Sequence, residues 1–200
     1  MLQPGTTTEP ALPPGCRSTQ GQPRLVVADL ALRPWQSADA PGVARAYADP
    51  DIHQWHARSM SLAQAVEWVE YEVGRWEQER GGSWAITLDD ALLGRVGIGG
   101  VSLDEARAGV TYWVLPEARG HNVASRAVGD VADWAFDYVG FHRLELDHST
   151  KNPASCRVAT KAGFMGEGIK RGRALHLDGW HDMHVHGLLA DDLRSGRSES

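Results

Sequence analysis

Thr111-Tyr-Trp-Val-Leu-Pro-Glu-Ala-Arg-Gly-His-Asn-Val-Ala-Ser125 is the stretch whose reading decides the fold. Thr111 to Leu115 are β-branched, aromatic or branched aliphatic, the residue types of a strand. Pro116 cannot donate to a ladder and ends the pairing. Arg119-Gly120 opens a turn, and from Val123 the apolar residues switch to helical spacing through Ala127, Val131, Trp134 and Tyr138. A strand, a short loop holding a glycine and a cation, and then a helix make an anion site. The first amides of a helix have no internal partner, and the helix dipole favours negative charge there. The phosphates of a nucleotide-containing cofactor suit such a site.

Upstream of this stretch, Arg24 to Pro34 predicts a first strand. Ser37-Ala-Asp-Ala-Pro-Gly starts a short helix through Val43, Ala44 and Tyr47, which Pro50 stops. Ser61 is an N-cap, and Gln64 completes a capping box. Leu62, Val66, Val69, Val73 and Trp76 then line one face of a long helix. Ser83–Leu88 and Leu92–Val101 read as strands turning at Asp89-Asp90. The glycines of Gly94 to Gly100 lack the spacing of a dinucleotide loop and no helix follows them, so they belong to the second of these strands. Downstream, Gly140 is a helix C-cap and His142–His148 alternates as a strand. Asn152 is the N-cap, Pro153 the first residue and Gly163 the C-cap of a short helix. Phe164–Leu175 and Trp180–Leu189 close the chain as a hairpin turning at Asp178-Gly179. The order β-α-α-β-β-β-α-β-α-β-β predicts an α/β (α+β) domain, a mixed sheet with helices on both faces. Residues 1–23, rich in Pro, Gly, Thr and Gln, predict a disordered N-terminal tail; residues 24–192 form one domain and 193–200 a frayed C-terminal tail.

The 200 residues carry a net charge of −6, with 42% hydrophobic and 23% charged residues. That is an ordinary globular composition, and it argues against nucleic acid as the main partner, which needs a basic face. No apolar run approaches the roughly 20 residues of a membrane span, and the N-terminus lacks the features of a signal peptide. Cys16 and Cys156 are the two cysteines, and one falls in the tail, which predicts a reducing, cytoplasmic setting. His184-Val-His186 puts two imidazoles on one strand face with His176 and His181 nearby. A zinc site needs a third and a fourth ligand at suitable geometry, so these are read as hydrogen-bonded histidines and no metal is predicted.

Several motifs now combine: Tyr112-Trp-Val-Leu-Pro116, Arg119-Gly-x-x-x-Ala124, Asn152-x-x-Ser155 and Lys161-Ala-Gly-Phe164. Together they resemble the GNAT acyl-CoA N-acyltransferases, and within them the branch of the ribosomal-protein N-terminal acetyltransferases. The resemblance spans residues 24–190. It implies a centrally splayed sheet, acetyl-CoA as donor co-substrate, and a primary amine as acceptor, either a protein N-terminus or a small cationic amine such as an antibiotic. A monomer or homodimer is expected.

The resemblance also implies site residues. The loop Arg119, Gly120, His121, Asn122, Val123, Ala124 and Ser125 would hold the CoA pyrophosphate. Asn122 stands where the family usually has a second glycine; Asn is the non-glycine residue that best tolerates a left-handed conformation. Val114 and Leu115 occupy the strand position that pairs with pantetheine, and the Val114 amide would face the thioester oxygen. Tyr112 and Trp113 read as packing residues. Asn152 is both a helix cap and a pantetheine ligand. The family's later-helix tyrosine is Ala159 here, whereas Ser155 matches the ribosomal branch and is assigned to the CoA sulfur. The family's strand glutamate is Gly109 here, so of the candidate general bases Glu105, Asp147 and His148, Glu105 ranks first and His148 next. His53, Trp55 and His56 precede the long helix and, with His148, are assigned to the acceptor. The missing tyrosine, the missing glutamate and Asn122 keep a second reading open, a CoA-binding sensor or partner module without transfer activity.

Overall fold

The computed structural model describes residues 9–16, 21–56 and 58–192. In chain order the elements are β1 (Leu25–Val27), β2 (Leu30–Arg33), α1 (Ala40–Ala48), α2 (Pro50–His56), α3 (Leu62–Glu77), β3 (Gly82–Leu88), β4 (Ala91–Ser102) and β5 (Arg107–Val114). They continue with α4 (Val123–Trp134), β6 (Arg143–Ser149), α5 (Pro153–Lys161), β7 (Met165–His176) and β8 (Gly179–Leu189). Two elements differ from expectation. The single strand expected over 24–34 is a hairpin, because Ala28 takes a left-handed φ of 56° and folds β1 back on β2. Pro50 does not merely stop α1. It opens α2, where its missing N–H costs nothing, and Asp49 Oδ1 accepts from the Ile52 amide at 3.1 Å.

The eight strands form one sheet in the order β1-β2-β3-β4-β5-β6-β8-β7. Every pairing is antiparallel except β5 with β6. That parallel pair holds only at Arg107–Arg143, Ala108–Leu144 and Gly109–Glu145. Beyond Gly109 the two strands part, and each stays paired with its other neighbour. The sheet is therefore splayed at its centre.

Alternation along the central strands builds two cores. Trp84 and Ile86 of β3 and Val110 of β5 face α4, with Val128, Val131 and Trp134. Ala85 of β3, Trp113 of β5 and the following Leu115 face the other way, onto Val43 and Tyr47 of α1 and Trp68 of α3. Ser61 caps α3 as the sequence predicts: its Oγ accepts from the Gln64 amide, and Gln64 Oε1 accepts from the Ser61 amide, a cap worth about 1 kcal/mol. Gly140 ends the π-helical turn after α4 at a φ of 87°. Within the segment expected to be a tail, Leu12 is buried against the α4-side core and its amide donates to Leu103 O at 3.0 Å. The Ala11 amide on Asp104 O, the Gly15 amide on Glu79 Oε2 and the packing of Cys16 dock it further. Residues 1–8, 17–20 and 193–200 of the expected tails lie outside the described residues. Among the described residues no helix is long and apolar enough to cross a membrane.

Candidate active site

The gap between β5 and β6 opens into a cavity of about 560 Å³. One end is walled by the loop from Ala118 to Ser125 and by Arg157, Val158 and Lys161 of α5. The other end is walled by Ile52, Trp55 and His56 of α2, by Asp147, His148 and Ser149, and by His176 and Met183, while Asp51 sits beside Arg119 of the loop. Val110 to Val114 line the middle, opposite Asn152, Ala154 and Ser155.

The loop end presents backbone amides at the start of α4. Gly120 turns the chain at a φ of 81°, and Asn122 follows in the left-handed region at a φ of 58°. The first bond of α4 runs from the Arg126 amide to Asn122 O, so the amides of Val123, Ala124 and Ser125 have no acceptor within the helix. The Asn122 side chain is drawn to Lys161, whose Nζ donates to Oδ1 at 2.8 Å. Asn122 therefore supplies the turn that a glycine would. The Arg119 guanidinium bridges Asp49 and Asp51, both at 2.6 Å, and clips the start of α2 to the loop. Burial pushes Asp49 upward, but the Arg119 hydrogen bond and the Ile52 amide outweigh it and hold the carboxyl below its ordinary value. His121 is exposed and does not line the cavity.

In the middle, backbone direction matters most. The Leu115 amide donates to Leu93 O of β4 at 2.8 Å. Alternation along β5 then turns the N–H and C=O of Val114 and Tyr112 away from β4, into the gap. Leu115 itself is fully buried in the α1–α3 core and lines nothing, because it lies on the opposite face from Val114. Ser155 is buried at the second residue after Pro153, where its amide donates to Asn152 Oδ1 at 3.0 Å. Its Oγ accepts from the Tyr112 hydroxyl at 2.8 Å. Burial, against the opposing pull of Ser155, pushes the Tyr112 phenol up to about 12, so it stays a donor. Tyr112 is thus a cavity residue as well as a packing one. Its place two positions before Val114, on the same strand face, was the available signal. Trp113 is buried in the α1–α3 core and also borders the cavity.

At the far end the assigned residues separate. Trp55 and His56 line the cavity, but His53 on the same helix does not. Burial, with help from Arg95 and Arg58 and against the Tyr112 backbone, lowers His56 to about 4, so its imidazole is neutral at pH 7. His148 lines the wall, yet both of its nitrogens are engaged. Nδ1 faces Ser149 O at 2.8 Å and Nε2 faces His186 Nε2 at 3.0 Å. Asp147 is paired with Lys170 at 3.2 Å. Glu105 does not reach the cavity. It is exposed in the β4–β5 turn, at the end of β5 away from Val114, and Arg107 Nε donates to it at 2.5 Å. That hydrogen bond, with the Arg107 charge, holds its carboxyl below the ordinary value.

The comparisons identify the family and the fold. Residues 29–165 match the family model for the acetyltransferase (GNAT) domain. YoaA of Bacillus subtilis (strain 168), described as an uncharacterized N-acetyltransferase, is 26% identical over 153 residues, covering 74% of this chain and 86% of that protein. The fold superposes on the ribosomal L7/L12 alpha-N-protein acetyltransferase RimL in complex with coenzyme A, with a TM-score of 0.77 at 16% identity over 85% of this chain and 99% of the other. It also superposes on the microcin C7 self-immunity acetyltransferase MccE in complex with acetyl-CoA and AMP, with a TM-score of 0.74 at 16% identity over 81% of this chain and 93% of the other. With a family model spanning the splayed strands and the loop after β5, the chain belongs to the GNAT family of acetyltransferases.

Proposed function

We propose that this protein moves an acetyl group from acetyl-CoA to a primary amine by direct attack, with both substrates bound at once. The observation that carries the reading is the convergence, inside one gap, of the Val114 backbone, Ser155 and Tyr112, in line with the free amides of α4. The amides of Val123, Ala124 and Ser125 suit the pyrophosphate, and Lys161 and Arg157 add positive charge at the rim. Asn152 and the β5 backbone line the path of the pantetheine arm.

Each chemical step then has a group of the chain. The Val114 N–H hydrogen-bonds to the oxyanion that forms as the amine attacks the thioester carbonyl. The Ser155 hydroxyl donates to the departing sulfur as the C–S bond breaks, while Tyr112 donates to Ser155 from behind. His56, neutral and at the acceptor end, takes the proton that the nitrogen sheds once it is acylated. Glu105 has no part in this scheme. Holding both reactants in the gap supplies much of the acceleration. A protein N-terminus and a small basic molecule both qualify as the amine.

The test incubates the protein with acetyl-CoA and a panel of amines (ribosomal N-terminal peptides, polyamines, aminoglycosides) and follows free thiol. Turnover with at least one amine, lowered in Ser155→Ala, is expected. CoA binding by calorimetry without turnover on any amine would instead leave a CoA-binding module.

A further inference from the structure

Around His148 four potential ligands meet. His148 of β6 is the cross-strand partner of His184 in β8, and His186 lies two residues further along the same face. Ring centroids are 4.4 Å apart for His184–His186, 5.0 Å for His148–His186 and 5.4 Å for His148–His184. Cys156 of α5 completes the group, and its thiol is in no disulfide. One ligand atom from each of the four residues lies within 4.8 Å of all the others. His176 and His181, the neighbours suggested by the sequence, take no part: they stack on each other and on Trp55.

We propose that His148, Cys156, His184 and His186 bind one Zn²⁺ ion. Three details of the cluster favour a cation over a purely hydrogen-bonded set. His148 Nδ1 contacts the Ser149 carbonyl at 2.8 Å, which can only accept. The proton therefore sits on Nδ1 and the lone pair on Nε2. A backbone acceptor behind the ligating nitrogen is the usual support of a metal-bound histidine. That lone pair aims at His186 Nε2, 3.0 Å away. The donor set is three imidazoles and a thiolate, which suits tetrahedral Zn²⁺.

The geometry needs little adjustment. Tetrahedral zinc with these ligands spaces their donor atoms about 3.3–3.6 Å apart. The observed limit of 4.8 Å closes to this by side-chain torsions, mainly of Cys156 and His184, both only partly buried. Binding takes the three imidazoles as neutral ligands and Cys156 as thiolate, so one proton leaves the thiol as the Zn–S bond forms. With four protein ligands the ion has no open position, which makes the site structural. It would pin α5 to β6 and β8. Cys156 follows Ser155, so the ion would also fix the helix that presents Ser155 to the cavity. The proposal does not depend on the acetyl-transfer reading.

The experiment uses the full chain stripped with a chelator. Zn²⁺ is titrated by calorimetry and in competition with a chromophoric chelator, and Co²⁺ is added in parallel as a spectroscopic probe. One Zn²⁺ per chain is expected, with a Co²⁺ spectrum showing a thiolate charge-transfer band and the strong visible bands of a tetrahedral site. His184→Asn and Cys156→Ser, neither in the cavity wall, should each weaken Zn²⁺ binding by at least about 100-fold. His142→Asn, outside the cluster, should not. Zn²⁺ should raise the melting temperature of the wild type and not of the two ligand variants. Absence of stoichiometric binding, or undiminished binding in both ligand variants, overturns the proposal. If the variants fail to fold, the wild-type Co²⁺ spectrum decides: without a thiolate band the proposal fails.

Discussion

Replacing Tyr112 by Phe removes one oxygen from the cavity wall and leaves the ring that packs there. In the wild type that oxygen donates to Ser155 Oγ at 2.8 Å. While Ser155 faces a neutral thioester the bond is an ordinary neutral one, worth about 1 kcal/mol. When sulfur departs as a thiolate, Ser155 donates to a charge, its own oxygen becomes a better acceptor, and the Tyr112 bond strengthens toward the charge-assisted range of about 1.5–3 kcal/mol. The difference between the two states is what the reaction gains, roughly 0.5–2 kcal/mol. Tyr112→Phe should therefore lower kcat about 2- to 30-fold with little change in KM for acetyl-CoA. Ser155→Ala should lower kcat by about 100-fold. Because Tyr112 acts through Ser155, the double variant should be no slower than Ser155→Ala alone. The assay is steady-state thiol release for the four proteins of the cycle. A Tyr112→Phe penalty as large in the Ser155→Ala background as in the wild type would refute the relay. The phenol is held near 12, so the penalty should not vary from pH 6 to 9.

Three further outcomes are expected. His56 is lowered from its ordinary 6.5 to about 4 in the folded chain, so between those values the unfolded chain holds more protons. Stability should then fall as pH drops through that window, by at most about 3 kcal/mol. His56→Gln should remove this part of the slope in urea titrations at stepped pH; an unchanged slope would disprove its origin. Arg33 and Asp39 form a two-bond ion pair at 2.8 Å with both side chains buried. Asp39→Ala strands the guanidinium and should cost about 3–5 kcal/mol by urea denaturation, whereas Arg33→Met with Asp39→Leu should recover most of it. Asn122→Gly removes only an exposed contact to Lys161 and should keep the calorimetric Kd for CoA within about fivefold. Asn122→Ala, forced into the left-handed region, should lose about 1 kcal/mol of stability.

The motif loop and its helix were legible because their signals are local. A proline, a glycine, an Asn at φ 58° and a switch from strand to helical spacing each act within a few residues. The same holds for Asn152, whose side chain caps α5 by reaching the amide of Ser155. Glu105 was misplaced for the complementary reason. Sequence proximity put it next to β5, but β5 runs 8 residues from Arg107 to Val114, and the gap opens only past Gly109, at the strand's other end. Tyr112 was read as packing because period-2 alternation gives a face, not a neighbour, and its neighbour comes from a helix 43 residues away.

The sequence alone thus determined most of the elements, their order, the turn-and-helix loop after β5 and the family, since these rest on backbone preferences and short-range spacing. Only the tertiary structure decided which side chains share a space. The parting of β5 and β6 exposes the Val114 backbone, and the pairing of β6 with β8 brings His148, His184 and His186 together beneath Cys156. Contacts of that kind depend on strand register and on where a helix lands, and neither is written in any one segment.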